Sequence, residues 1–201
     1  MTINTDSYEY NILENAARAV KGIPGCTVEI GLRAGGGTAY IMRALIKNGD
    51  FGRNHIAIDP YGNIPYESHD GVVERLDYTN TMKNVAMMDL YEYVKDFPIN
   101  FIFMPFTDTF FMETFKNGVE IYSETTNIVN EYALVHFDGP HSYAALQKEV
   151  EFFATRAPSG AQFVFDDISY YDHNKLETES IFSANFTLVE KGKTKARYIK
   201  Q

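Results

Sequence analysis

The stretch Val28-Glu29-Ile30-Gly31-Leu32-Arg33-Ala34-Gly35-Gly36-Gly37-Thr38 decides how the rest of the chain is read. An apolar run carries an acidic residue at its end, a turn follows, and three consecutive glycines open a helical pattern. The reading is strand, glycine turn, helix. Glycine admits positive φ and lets a ligand approach the backbone with no Cβ in the way. The unpaired N–H groups at a helix start attract a carboxylate or phosphate. Glu29 is placed to answer a cationic group.

Two well-known glycine patterns are missing. Gly31 is followed by Gly35, Gly36 and Gly37, so there is no G-x-G-x-x-G, and the glycines lead to Thr38 without the lysine of a P-loop. Weight moves away from NAD and ATP. A nucleoside carrying an amino acid has both an anionic end and a cationic group, and S-adenosylmethionine is such a molecule. Glycine-rich turns occur in many α/β folds, so the rest of the chain must decide.

Upstream, Ser7 to Lys21 is helical: Tyr8, Ile12, Leu13, Ala16 and Val20 share one face, and Gly22 and Pro24-Gly25 stop it. The first strand is Cys26 to Ile30. Downstream a helix runs from Gly37 to Asn48-Gly49, followed by strand His55–Ile58 closed by Asp59-Pro60. Tyr61 to Leu76 reads as a loop, with Tyr66 positioned to fold over a substrate. A helix from Tyr78 to Lys95, strand Asn100–Met104 and a short helix from Thr109 to Lys116 come next. Gly118 to Asn130 fits neither helix nor strand. Strand Tyr132–Phe137, helix Ser142–Thr155, strand Gln162–Phe165 and a helix from Asn174 to Ser183 follow. The end reads as a hairpin, Phe186–Glu190 with Ala196–Ile199.

Strands alternating with helices imply an α/β, mostly parallel sheet covered on both faces, with a C-terminal antiparallel hairpin. The length of 201 residues suits one domain: an N-terminal helix over 1–22, a core over 23–170 and a C-terminal helix and hairpin over 171–201. Ligands of such sheets sit beyond the carboxyl ends of the strands. Acidic residues recur there: Glu29, Asp59, Asp138, Asp166 and Asp167. Asp59 stands where a carboxylate accepts from both hydroxyls of a ribose; the plainer alternative is a turn aspartate before proline. Asp138, Asp166 and Asp167 should converge on one rim. Like charges about 4 Å apart repel by about 4 kcal/mol at an effective dielectric of 20, so protonation, a basic partner or a bound cation must relieve them. An oxygen-only set suits a hard ion such as Mg²⁺, Ca²⁺ or Mn²⁺ better than zinc, unless one carboxylate caps the following helix. His141, at a helix start, can take a proton near neutral pH; His136, within a strand, reads as structural.

Composition narrows the classes. Net charge is −9, which disfavours nucleic acid, and no apolar run approaches a membrane span. The N-terminus lacks a signal pattern, so a cytoplasmic location is expected. Cys26 is the only cysteine, excluding an intrachain disulfide and a thiolate metal cluster. Lys191-Gly192-Lys193-Thr194-Lys195-Ala196-Arg197 reads as a hairpin turn.

These motifs resemble class I S-adenosylmethionine-dependent methyltransferases, and among them the small metal-dependent O-methyltransferases of the macrocin O-methyltransferase group. Glu29-Ile30-Gly31 with Arg33 and Gly35-Gly36 resembles their first motif. Asp138-Gly139-Pro140-His141-Ser142-Tyr143 is similar to their Asp-Gly-x-His-x-Tyr segment. Ser159-Gly160 with Asp166-Asp167 resembles their glycine turn and acidic pair, and Asp108-Thr109 their Asp-Thr element. Pro140 departs from the acidic residue common there. The resemblance implies a Rossmann-like methyltransferase fold. It implies cofactor contacts from Glu29, Gly31, Arg33, Gly35, Gly36, Thr38, Asp59, Asp108 and Asp138, Mg²⁺ on Asp138, Asp166 and Asp167, and His141 as the base. The expected reaction is Mg²⁺-assisted O-methylation of a small hydroxylated acceptor, a sugar or catechol. Alternatives are an NAD-linked oxidoreductase and a non-catalytic cofactor-binding protein. A homodimer is left open.

Overall fold

The computed structural model describes residues 5, 7–75, 77–122, 126–178 and 180–201. In chain order the first elements are α1 (Tyr10–Ala19), β1 (Cys26–Ile30), α2 (Gly36–Asn48), β2 (Asn54–Ile58), β3 (Pro65–His69) and β4 (Val72–Arg75). Next come α3 (Asn80–Val94), β5 (Asn100–Met104), α4 (Asp108–Thr114), β6 (Val119–Tyr122), β7 (Thr126–Val129) and β8 (Tyr132–Phe137). The chain finishes with α5 (Tyr143–Ala154), β9 (Gln162–Phe165), α6 (His173–Thr178), α7 (Ser180–Ser183), β10 (Phe186–Lys191) and β11 (Ala196–Lys200).

Every residue of β1 is buried, as expected of a strand covered on both faces. It lies inside a seven-stranded sheet of order β10-β11-β9-β8-β1-β2-β5. β5, β2, β1, β8 and β9 are parallel, while β11 and β10 run antiparallel at one end. The chain leaves β1 toward β2 and β5, then returns to the other side of β1 with β8 and β9. The crevice where this direction reverses opens between β1 and β8, beyond their carboxyl ends.

Each face of the sheet carries its own core. Leu13, Ala16, Ile41, Leu45 and Leu90 from α1, α2 and α3 pack on one. Phe111, Phe137, Phe153, Phe163 and Phe165 pack on the other, with α4, α5 and α7. Side chains cap three helices: Thr79 accepts from Met82 N–H, Thr107 from Phe110 N–H and Ser142 from Ala145 N–H. Gly49, in left-handed geometry, closes α2 as its Asn-Gly sequence predicts.

Three local expectations change. Tyr61–Leu76 contains the hairpin β3–β4 (Leu76 lies outside the described residues). The undecided segment holds a second hairpin, β6–β7, with 123–125 outside the described residues. The helix expected over 174–183 is two short ones, α6 and α7, with 179 undescribed. No helix among the described residues is long and apolar enough to cross a membrane.

Candidate active site

The glycine bend is dictated by what lies against it. Gly31 has φ 87, and a Cβ there would stand 1.9 Å from the carbonyl oxygen of Asp138. β1 and β8 therefore approach as closely as they do only with glycine at 31. Gly37, in the first turn of α2, lies directly over Glu29: a Cβ would lie 1.8 Å from Glu29 Oε1. No side chain caps the start of α2, whose N-cap is Gly35. Gly36 and Gly37, in that first turn, line a cleft of about 820 Å³, within the range of small-molecule sites.

Beneath the bend runs a buried polar chain. Thr38 Oγ1 donates to Glu29 Oε2 (2.5 Å), and Glu29 Oε1 meets His136 Nδ1 (2.8 Å). Thr38 Oγ1 also meets His55 Nε2 (2.8 Å), whose Nδ1 meets Thr27 Oγ1 (2.9 Å). One proton arrangement satisfies all of it: Thr27 donates to His55, His55 to Thr38, Thr38 to Glu29, and His136 Nδ1–H to Glu29. Burial holds both rings neutral, pulling His55 down to about 3 and His136 to about 4. Glu29 and Thr38 thus sit behind the cleft wall and position α2 from below. Gly35, against Leu90, is also behind the wall, whereas Gly31, Arg33 and Gly36 line it.

Asp59, at the end of β2, is nearly enclosed and lines the cleft. Its Oδ2 accepts from the N–H of Leu32 (3.0 Å) and Arg33 (2.8 Å), and its Oδ1 from Tyr61 N–H (2.8 Å). Arg33 takes a left-handed φ of 45 to present that N–H. A carboxylate offers about four acceptor positions, so Asp59 keeps about one for a ligand rather than the pair a whole ribose diol would use. Asp108, the first residue of α4, lines the same cleft. Behind it Glu149 of α5 is fully buried, with Asp108 as a polar group that faces it. Burial, reinforced by the Asp108 charge, pushes Glu149 well above the usual carboxylate range. Sequence reading missed Glu149 because a glutamate inside an amphipathic helix reads as solvated.

The facing wall carries the remaining carboxylates. His141 lies between two of them: Nε2 is 3.7 Å from Asp138 Oδ1 and Nδ1 is 3.6 Å from Asp167 Oδ2. Burial works against charging the ring, but the two carboxylates outweigh it and raise His141 above its ordinary value. Asp138 is pushed up to about 6 by burial and by the charge of Asp166. Asp166 is different. Burial would raise it, yet the Lys195 ammonium on its Oδ2 leaves it below the usual carboxylate range. Ser7 Oγ donates to the same oxygen (2.8 Å), and Asp167 N–H to the other (2.8 Å).

The three carboxylates expected to bind a metal all line the cleft, each beside a different nitrogen of His141 or Lys195. Asp138, Asp166 and Asp167 do not converge as one ligand set: Lys195 and Ser7 hold Asp166, and His141 separates Asp138 from Asp167. Among the described residues, the group whose ligand atoms lie within 4.8 Å of one another is Glu29, His136 and Asp138. Glu29 (1% exposed) and His136 (0%) already bond each other inside the sheet. A neutral imidazole and a carboxylate already bonded to it make that group a poor match for a hard ion such as Mg²⁺.

Two segments close the cleft. The hairpin β3–β4 places Tyr66 and His69 on its wall. Asp70, at the hairpin turn, accepts from Tyr143 N–H (2.6 Å) at the start of α5 and from Asp172 N–H (3.1 Å). Opposite, Glu9 accepts from the N–H groups of Lys193, Thr194 and Lys195, which draws Ser7 and Tyr8 over the acidic wall.

Residues 28–168 match the family model described as a methyltransferase domain. No curated protein sequence matches the chain. Solved structures share the fold at low identity. The O-methyltransferase NovP gives a TM-score of 0.64 at 15% identity, over 96% of this chain and 79% of that one. The calicheamicin methyltransferase CalS11 gives 0.61 at 15%, over 95% and 77%; its apo form is described as a TDP-rhamnose 3′-O-methyltransferase. TomG from Streptomyces achromogenes, an O-methyltransferase of tomaymycin synthesis solved in complex with SAM, gives 0.56 at 11%, over 99% and 82%.

Proposed function

Because the chain belongs to the methyltransferase-domain family, we propose that it transfers a methyl group from S-adenosylmethionine to a hydroxyl oxygen of a small acceptor, with His141 as the base. The observation that carries this reading is a single cleft with two unlike sides. One side is backbone N–H groups and Asp59; the other is a histidine held between two carboxylates.

The residues present suit the cofactor. The N–H groups at the start of α2 would take its carboxylate, and Gly31 and Gly36 leave the space beside them. Asp59 would accept from one ribose hydroxyl, with Asp108 and Asp138 flanking the nucleoside and the amino acid ends. Glu29 and Thr38 serve by holding the bend. When bound, the sulfonium supplies a methyl carbon that is already electrophilic.

The protein's task is to align and deprotonate the acceptor. Neutral His141 would take the hydroxyl proton while the new oxygen–methyl bond replaces the methyl–sulfur bond, S-adenosylhomocysteine being the leaving group, and Asp138 and Asp167 would stabilise the imidazolium that results. Orientation within a cleft closed by Tyr66, His69 and Tyr8 supplies further acceleration. The acidic wall disfavours a phosphate-bearing acceptor. An uncharged diol, a sugar or catechol, matches it better, with one hydroxyl to His141 and the other to a carboxylate. Mg²⁺ has no part in this reading.

The test is release of S-adenosylhomocysteine from S-adenosylmethionine across a panel of catechols and sugars, with chelator present. Turnover by the wild type that falls about 10²–10⁴-fold in His141→Ala supports the assignment. Absence of turnover across the panel favours a non-catalytic cofactor-binding protein.

A further inference from the structure

Lys195 is fully buried, yet its sequence neighbourhood is a Lys-Gly-Lys-Thr-Lys turn. Its place follows from strand pairing. In the antiparallel ladder of β9 and β11, Phe165 pairs with Ala196. The next residues along, Asp166 and Lys195, therefore face each other where the ladder ends. Lys195 N–H is fixed by Glu9 (3.1 Å). Its ammonium bonds Asp166 and Ser7 Oγ (2.9 Å) and lies 5.2 Å from the centre of the Tyr10 ring. A buried ammonium persists only when paired, and this one is pinned at both ends.

Three carboxylates on one rim demand positive charge. The resemblance implies a divalent ion for that purpose, and the residues do not form its ligand set. We infer that the Lys195 ammonium is the resident cation of the acidic wall, standing where a divalent metal would have to bind, so that the site works without one. Lys195 is a positioning residue: its ammonium holds Asp166 Oδ2 at the edge of the cleft that Asp166 lines. The electrostatic relief left over falls to His141, placed between Asp138 and Asp167. Ser7 and Glu9 tie the same lysine to the N-terminal segment, so closure of that segment over the cleft and delivery of the charge are one arrangement. The inference rests on the methyl-transfer reading for its catalytic consequence only; cation binding tests it directly.

The probe is Mn²⁺, followed by electron paramagnetic resonance on the full chain after chelator treatment. The wild type should bind Mn²⁺ weakly, and neither Asp138→Asn nor Asp167→Asn should change that. Lys195→Met frees Asp166 and should tighten Mn²⁺ about tenfold or more, an effect that Asp167→Asn in the same background reverses. A merely structural lysine would not create a metal site when removed. Should Lys195→Met fail to fold, the wild type against the two aspartate variants still decides. Tight wild-type binding that falls about tenfold in Asp138→Asn or Asp167→Asn overturns the inference. Binding of S-adenosylhomocysteine is measured in the same samples. Its absence counts against the methyl-transfer reading and leaves the Mn²⁺ result standing on its own.

Discussion

Gly31 shows how one residue can tie fold to site. Its φ of 87 and the Asp138 carbonyl oxygen 1.9 Å from a would-be Cβ leave no place for a side chain. Gly31→Ala should lower unfolding free energy by about 2–4 kcal/mol in denaturant titration, combining left-handed strain with a backbone clash. His141 makes a second prediction at this scale. Its value lies above the ordinary histidine range, and the base form is the neutral one. The rate should therefore rise with pH through an apparent value above about 6.5, the ordinary value of a histidine. A profile flat from pH 6 to 9 in the wild type would speak against His141 as base. The residues legible in sequence were those that end apolar strands: Asp59, Asp138, Asp166 and Asp167. Glu29 was legible as important but not as buried, since only the His136 and Thr38 contacts show that it faces inward.

At the scale of elements, α5 carries a concealed carboxyl. Glu149 binds its proton in the folded chain well above the pH at which it would release it unfolded. The unfolded state then holds fewer protons, so this group's contribution to stability falls as pH rises above about 4.5, by up to about 1.4 kcal/mol per unit until the folded value is reached. Glu149→Gln should remove that dependence, and its stability gain over wild type should grow from pH 5 to pH 8 in denaturant titrations. The hairpin β3–β4 offers a different test. Asp70→Ala removes two N–H bonds to a carboxylate at an exposed latch, about 1 kcal/mol. Acceptor KM should rise about fivefold with little change in stability, and hydrogen exchange should quicken across 65–75. That hairpin escaped sequence reading because β4 is largely exposed and shows no clean alternation. In β6 the alternation exists, Val119 and Ile121 in, Glu120 and Tyr122 out, but four residues are too few to stand above noise.

For the whole molecule, sheet order does what no single motif can. Strands far apart in sequence bring Gly31, Asp59 and Asp138 to one rim because β1 lies between β2 and β8. The parallel core was legible because each of its strands is an apolar run bounded by glycine, proline or acid. The pairing of β11 with β9 was not, because a terminal hairpin can join the sheet in more than one register. Lys195 went unread as a member of the site for that reason alone. Calorimetric titration of S-adenosylhomocysteine into ligand-free protein bears most directly on the shared cleft. One saturable site, undiminished by chelator and weakened about tenfold or more by Asp59→Ala, is the result predicted. Binding of NAD with no binding of S-adenosylhomocysteine would contradict it.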